Sequence, residues 1–274
     1  MTLQSLLDSA AIRYRMHQAH SSGFAPKVRF SIDSNHFVIK TAETAEELQK
    51  VLKLRYNVFI KEGLHKRTPV KVDVESWDFI ADHLIVVEKS TQKIAGTYRL
   101  ISSKFSDRFY SQSEFEMDDL LKLPGNKLEL GRACIDKDFR AGIVMTLLWR
   151  GLVRMIQETN SRYLFGCTSI KTTDPEQMAQ LTQFFIRNGH FSNEVAAAPR
   201  RKFFVRNLPI LVDCSDPDNQ ISEMIPPLLN SYLKAGAKVC GLPAFDKAFK
   251  CVDFLTLLDT TQITESYERK YKVC

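Results

Sequence analysis

Glu129 and Arg132 stand three residues apart in LELGRACI, residues 128–135, a segment otherwise built like a buried strand. An ionised group there is costly unless it is paired or used. Glu129 therefore has two readings: a general base that takes a proton from an attacking nucleophile, or a partner in a structural ion pair with Arg132 or another arginine. Strand alternation sends residues 129 and 132 to opposite faces. Gly131 lies between them, and glycine is a frequent bulge residue. A bulge would turn both side chains toward one cleft and release a backbone N–H near Ala133. A carboxylate beside a spare N–H suits acyl transfer, with an acceptor for an amine proton and a donor for the oxyanion.

Further charges sit in apolar settings. Arg99 is in the middle of IAGTYRLI, residues 94–101. Arg55 and Phe59 are four apart, so they share a helix face. VDVESWDFIAD, residues 72–82, supplies Asp73, Glu75, Trp77, Asp78 and Asp82. Clustered acids on a loop are usually solvated, but these lie between an arginine helix and an arginine strand. A polar network around a cleft is the sharper reading. No metal site is expected: His17 and His20 are the only close histidine pair, and zinc normally needs three or four ligands.

These residues need elements to hold them. Residues 36–40 read as a strand, and residues 41–56 as a helix with Thr44 as N-cap. HLIVVE (83–88) and IAGTYRLI read as a hairpin across a short polar connection. Residues 61–80 and 102–126 read as irregular. After LELGRACI come a long amphipathic helix over 142–159, a strand over 162–168, and a helix opened by Asp174-Pro175 that stops near Gly189. A strand is expected within 202–212, a helix over 226–235, a strand over 252–258 and a helical C-terminus. Leu3, Leu6, Leu7, Ala10, Ala11 and Tyr14 have helical spacing, and residues 21–35 read as a polar linker. The order predicts an α/β (α+β) fold with a mixed central β-sheet and helices on both faces. The expected organisation is an N-terminal helical and linker segment over 1–35, then a single domain over 36–274 with a C-terminal extension from about 213.

The totals set bounds. The chain has 274 residues, 44% of them hydrophobic, enough for a substantial core. Its formal net charge is +6. That suits an acidic partner, a carrier protein or an anionic membrane surface, and falls short of a nucleic-acid binder. Six cysteines without a C-x-x-C pair, and no secretion signal, lead to the expectation of a reduced cytoplasmic setting. No apolar run reaches the length of a membrane span. Contact of the N-terminal segment with the inner face of the cytoplasmic membrane is the remaining lipid reading.

Several segments, in order, resemble the acyl-homoserine-lactone-synthase-like branch of the GNAT acyltransferases, and within it the ornithine N-acyltransferases of ornithine-lipid biosynthesis. They are LRYNVFIKEG (54–63), WDFIADHLIV (77–86), GTYRL (96–100), FYSQSEF (109–115), LELGRACI, LWRGL (148–152), YLFGC (163–167) and the tail from 226 onward. The resemblance implies a GNAT fold and transfer of a 3-hydroxyacyl group from acyl carrier protein to the α-amine of an amino acid, ornithine by this likeness. It implies no permanently bound cofactor; the donor is acyl-phosphopantetheine on the carrier. Carried over by position, Glu129, Arg132 and Arg99 fall in the catalytic strands. Arg55, Phe59, Asp73, Trp77 and Asp78 fall in the substrate-binding helix and loop, and Gly131 and Ala133 supply backbone for the oxyanion. Asp73, Glu75 or Asp78 would hold a second amine on the acceptor, and Lys137, Arg140, Arg150 and Arg154 would dock the carrier. One departure stands out. The GNAT pyrophosphate loop is R-x-x-G-x-G/A, and here RAGIVM (140–145) puts Ile143 and Met145 at its glycine-like positions. Side chains there would crowd coenzyme A, which favours the carrier. The alternatives within the enzyme class are a homoserine-lactone-type signal synthase or a long-chain N-acyl amino acid synthase. The non-enzyme alternative is an acyl-chain or membrane-binding module.

Overall fold

The computed structural model describes residues 23–209 and 218–263. The expected N-terminal and C-terminal helices lie outside these residues, as does residue 213, where the C-terminal extension was placed. The described chain falls into two compact units. The first holds residues 23–101 and Leu130–Thr159; the second holds Ser102–Glu129, residues 160–209 and residues 218–263.

In the first unit, β1 (Ser31–Ser34) and β2 (Phe37–Thr41) form a hairpin. Its turn explains why a polar stretch read as linker is a strand. Asn35 takes φ +35, a conformation that asparagine tolerates better than most residues. Helix α1 (Ala45–Arg55) starts where the Thr44 hydroxyl accepts the Glu47 N–H at 3.1 Å. It buries Leu48, Val51, Leu52 and Leu54, then widens into a π-helical stretch over Tyr56–Gly63. A 3₁₀ turn over Ser76–Phe79 gives order to a loop read as irregular. β3 (Asp82–Glu88) and β4 (Ile94–Ser102) pair antiparallel, with His83 opposite Arg99. Every residue of β4 is buried.

The second unit begins at Ser102, the last residue of β4, and continues with β5 (Phe115–Glu116) and α2 (Asp118–Lys122). β6 (Asn126–Ile135) follows; its residues to Glu129 count with the second unit and those from Leu130 with the first. Helix α3 (Val144–Thr159) completes the first unit. A Cβ on Gly151 would come within 2.5 Å of Leu84, and one on Gly96 within 2.8 Å of Val144. Glycine at both places lets α3 lie close on β3 and β4. Val51 and Leu54 of α1 pack instead with Ile85. Leu84 and Ile85 are successive strand residues and point to opposite faces. Helices therefore cover both faces of this sheet, as expected.

β7 (Ser161–Ile170) pairs parallel with β6 over Asn126–Glu129. Helix α4 (Pro175–Arg187) is capped by the Asp174 side chain and followed by Gly189 at φ +66. After it come β8 (Ala198–Pro199), which pairs with β5, α5 (Asp218–Met224), α6 (Pro227–Ala235), β9 (Lys238–Val239), β10 (Ala244–Asp246) and β11 (Cys251–Asp259). β11 pairs antiparallel with β7, β9 and β10. Leu181 and Phe185 of α4 and Leu233 of α6 bury themselves with Phe254 of β11. The strand expected within 202–212 is absent among the described residues. Arg201–Phe203 form a 3₁₀ turn, only Phe204 makes a strand-like bridge, to Ala244, and Asn207 turns the chain at φ +57. No helix among the described residues is long and apolar enough to cross a membrane.

Candidate active site

The first unit gathers three arginines and three acids that the sequence scatters over 78 positions, from Arg55 to Arg132. Arg55, at the end of α1, is fully buried. Its Nε donates to Asp73 Oδ2 at 2.9 Å, and its Nη1 donates to Asp78 Oδ1 at 2.5 Å. Arg99 donates to Glu75 Oε2 at 2.6 Å, and Arg132 to Glu75 Oε1 at 2.6 Å. Asp78 also holds the loop itself, since its Oδ2 accepts the Glu75 N–H at 2.7 Å. The Arg132 guanidinium stands 6.0 Å from the centre of the Phe59 ring. His83 donates its Nε2–H to the Asp78 carbonyl at 2.9 Å.

Charge balance explains why the cluster can be buried. Three guanidinium groups meet three carboxylates. Burial alone would push the Asp78 carboxyl up, but Arg55 and then Arg99 hold it well below the usual range. Glu75 is likewise held low against its burial, by Arg132 and Arg99. Burial pushes His83 down to about 4, so it is a neutral imidazole at physiological pH. Asp73, Glu75 and Asp78 are thus already matched by arginines. That is the physical reason against their holding a second, cationic amine of an acceptor.

β6 is kinked beyond Glu129. Asp136 donates its N–H to Ala95 O, and Ser103 donates its N–H to Lys127 O, each at 2.8 Å. Arg132 takes φ +50, rare for a side-chain-bearing residue, and Gly131, Arg132 and Ala133 are half-buried in a row where a regular strand would alternate. The glycine is not the left-handed residue, as glycine would commonly be; its arginine neighbour is.

Glu129 belongs to the second unit and is 3% exposed. Its Oε2 accepts the Tyr110 N–H at 2.7 Å, and its Oε1 accepts the Ser111 N–H at 2.6 Å. The carboxylate is an anchor for the 3₁₀ turn Tyr110–Ser113. That turn in turn presents Glu114, whose Oε1 accepts the Tyr110 hydroxyl at 2.6 Å. Glu114, Asp246 and Asp253 are all buried, with one oxygen of each within 4.8 Å of the others. Burial and then the neighbouring Asp253 push Glu114 up to about 8. The Cys167 thiol donates to Ser111 Oγ at 3.4 Å, and burial raises it well above the ordinary thiol range, so it is no thiolate nucleophile.

The second unit also carries an apolar cavity of about 450 Å³ between α4 and the chain after β8. Ile186, Phe204 and Leu242 line it, and all three are large hydrophobic side chains left 46–57% exposed. Such a patch marks a binding groove more often than a bare surface.

The site residues expected from the sequence thus divide between the units. Arg55, Phe59, Asp73, Asp78, Arg99 and Arg132 form one network, and Trp77 is half-buried on its 3₁₀ turn. Gly131 and Ala133 flank the kink. Glu129, in the second unit, accepts the Tyr110 and Ser111 turn amides. Of the basic residues expected to dock a carrier, Arg140 pairs with Glu62, Arg154 with Glu158, and Arg150 reaches Ser34. Ile143 is 55% exposed just ahead of α3. The sequence reading missed His83, Tyr110 and the Glu114–Asp246–Asp253 cluster. For Asp253 a signal existed: an acid inside the apolar run VDFLTLL.

The family described as the acetyltransferase (GNAT) domain matches residues 54–150. An L-ornithine N(alpha)-acyltransferase of Rhizobium meliloti (strain 1021) is 31% identical over 246 residues, 85% of this chain and 83% of that protein. A protein of the same name from Agrobacterium fabrum is 29% identical over 247 residues, 85% of this chain and 84% of its own length. Among solved structures, a CoA-dependent acyl-homoserine lactone synthase, MesI, covers 84% of this chain and 89% of its own at 12% identity, with a TM-score of 0.45. On the extent and identity of the match to the Rhizobium enzyme, this chain is an acyltransferase that belongs to the L-ornithine N(alpha)-acyltransferase family.

Proposed function

We propose that the chain transfers a 3-hydroxyacyl group from acyl carrier protein to the α-amine of ornithine, giving an N-acyl amino acid on the way to a lipid. The observation that carries the reading is the kink in β6. The left-handed backbone at Arg132 interrupts the regular strand, and a backbone N–H turned out of the ladder at such an interruption would suit a thioester oxygen that gains negative charge. The buried network fixes Arg132 through Glu75 and Phe59, so the donors are held before substrate arrives.

The amine nitrogen attacks the thioester carbonyl carbon. The C–N bond forms, the C–S bond breaks, and the thiolate of the carrier's phosphopantetheine leaves and is protonated. The ammonium proton goes to water. An α-amine has a pKa of about 8, so about one-tenth is free at pH 7, a deficit of about 1.4 kcal/mol. A dedicated base is therefore not required. This bears on Glu129, whose two oxygens both accept backbone N–H groups of the Tyr110–Ser113 turn. We assign it a positioning role. The apolar cavity beside Phe204 suits an acyl chain in volume and lining. Ile143 and Met145 at the head of α3 disfavour a coenzyme A pyrophosphate, which supports the carrier as donor. Coenzyme A as donor is the competing outcome.

The test is thiol release from 3-hydroxyacyl carrier protein and from the matching coenzyme A thioester, with ornithine, lysine, glutamine or S-adenosylmethionine as acceptor. The expected result is ornithine-dependent release with the carrier thioester and N-acyl ornithine by mass spectrometry. Turnover that ignores ornithine, or that prefers the coenzyme A thioester, overturns the corresponding half of the reading.

A further inference from the structure

We propose that Glu114, Asp246 and Asp253 form the receptor for the side-chain ammonium of the acceptor amino acid. The inference rests on the reading of ornithine as acceptor and adds to it the residues that recognise the second amine.

The three acids are brought together by the fold. Asp246 ends β10 and lies opposite Cys251, while Asp253 lies opposite Ala244. Positions 251 and 253 share a face of β11, so the two aspartates are diagonal neighbours on one face of the ribbon. Glu114 comes to them from the turn that Glu129 anchors. Like charges at such separation repel, and burial amplifies the repulsion. A cation supplied from outside removes that penalty. Among the described residues neither Glu114 nor Asp246 has an ion pair with a basic side chain.

Each carboxylate is also aimed. Tyr110 donates its hydroxyl to Glu114 Oε1, the Ser169 hydroxyl donates to Asp253 Oδ1, and the N–H groups of Ala248 and Phe249 donate to Asp246 Oδ1 at 2.7 and 3.2 Å. Glu114 is 1% exposed, and its Oε2 is buried with no hydrogen-bond partner. Without a cation Glu114 meets Asp253 through a proton; an ammonium would supply donors in its place. An ammonium has three N–H bonds to offer a group of three carboxylates. Three N–H bonds of about 2.8 Å in tetrahedral directions place their acceptors about 4.6 Å apart. The three candidate oxygens lie within 4.8 Å of one another. A calcium ion asks for six or more oxygens, and a magnesium ion usually keeps several waters. A buried site of three carboxylates suits them less well.

The test compares ornithine with norvaline, which has the same carbon chain without the terminal amine. In wild-type protein kcat/KM for ornithine should exceed that for norvaline at least 100-fold. Glu114→Gln and Asp246→Asn should raise KM for ornithine at least tenfold and leave norvaline within about twofold, which collapses the ratio. Calorimetry of wild-type protein with each amino acid, before any donor is added, gives a readout that needs no variant to fold. It should show heat for ornithine and none for norvaline. If wild-type protein uses ornithine and folded variants keep the wild-type ratio, the receptor is elsewhere and only this inference fails. If wild-type protein does not acylate ornithine at all, the function reading fails and takes this one with it. Stoichiometric binding of Mg²⁺ or Ca²⁺ that chelator removes, with activity lost in parallel, would make the cluster a metal site and overturn the proposal.

Discussion

Ser111 donates its backbone N–H to Glu129 Oε1 at 2.6 Å, a bond that ties the turn Tyr110–Ser113 to β6 across 18 residues of chain. The neighbouring Tyr110 N–H takes the other oxygen, so the pair of bonds needs an acceptor at both ends of the side chain. Glu129→Gln supplies one acceptor and one donor. One amide would then face an N–H₂ group inside a buried site, at a cost of about 1–3 kcal/mol. Glu129→Gln should therefore unfold at lower denaturant and raise KM for the acceptor, because Tyr110 and Glu114 move with the turn. The pH–rate profile decides between anchor and base. An anchor leaves the shape of the profile unchanged; loss of a base removes a limb and cuts turnover about 100-fold or more.

Asp78 and Arg55 are both fully buried and joined at 2.5 Å. Asp78→Asn keeps the shape and removes the charge, which leaves the network with an excess buried guanidinium charge. The expected loss is about 3–5 kcal/mol, read as a drop in the denaturant midpoint at pH 7. The pH dependence has a definite sign. The folded-state pKa of Asp78 lies below its unfolded value, so its contribution is present above about pH 4 and is lost as pH falls further. Asp78→Asn should accordingly show a shallower acid limb than wild type.

Much of the frame that holds these groups is legible in the residues. The Thr44 cap, the Asp174-Pro175 start and the alternation in HLIVVE and IAGTYRLI each act over a few neighbours, and local patterns report them. Partner choice is not local. Arg55 meets Asp73 and Asp78 because a loop folds back over the end of α1. Glu129 reads as half of an ion pair or as a base, and the amides of a distant turn that it also meets are hidden from the sequence. The kink was signalled by Gly131, yet the left-handed residue is Arg132. Glu114, Asp246 and Asp253 come from three segments, and no spacing rule joins them.

Glu114 gives a pH effect of the opposite sign to that of Asp78. Its folded pKa is raised to about 8 from an ordinary glutamate value, chiefly by burial and then by Asp253 and Asp246. The folded protein thus holds a proton there that the unfolded chain releases. Stability associated with this group is fully present below about pH 4.5 and is lost as pH rises through 8. Thermal scans without acceptor should show a declining midpoint from pH 5 to pH 8.5, and Glu114→Gln, neutral throughout, should flatten that decline. A decline of equal slope in the variant would place its origin in other groups.

The cavity lined by Ile186, Phe204 and Leu242 gives the last prediction, because exposed apolar surface of this kind is costly unless something covers it. Each methylene of an acyl chain that enters an apolar site contributes about 0.8 kcal/mol. Affinity for the donor should then rise with chain length until the cavity is full, by about fourfold per methylene at most. Leu242→Trp shortens the space and should move the preferred donor to a shorter chain, with short-chain turnover kept. Phe204→Ala removes one wall and should weaken long donors more than short ones. Steady-state kinetics over donors of 4 to 18 carbons reads both effects, at about twofold resolution per step. Chain-length profiles that coincide for wild type and both variants would show that the acyl chain lies elsewhere. The cavity would then need another occupant to explain why three large hydrophobic side chains face solvent around it.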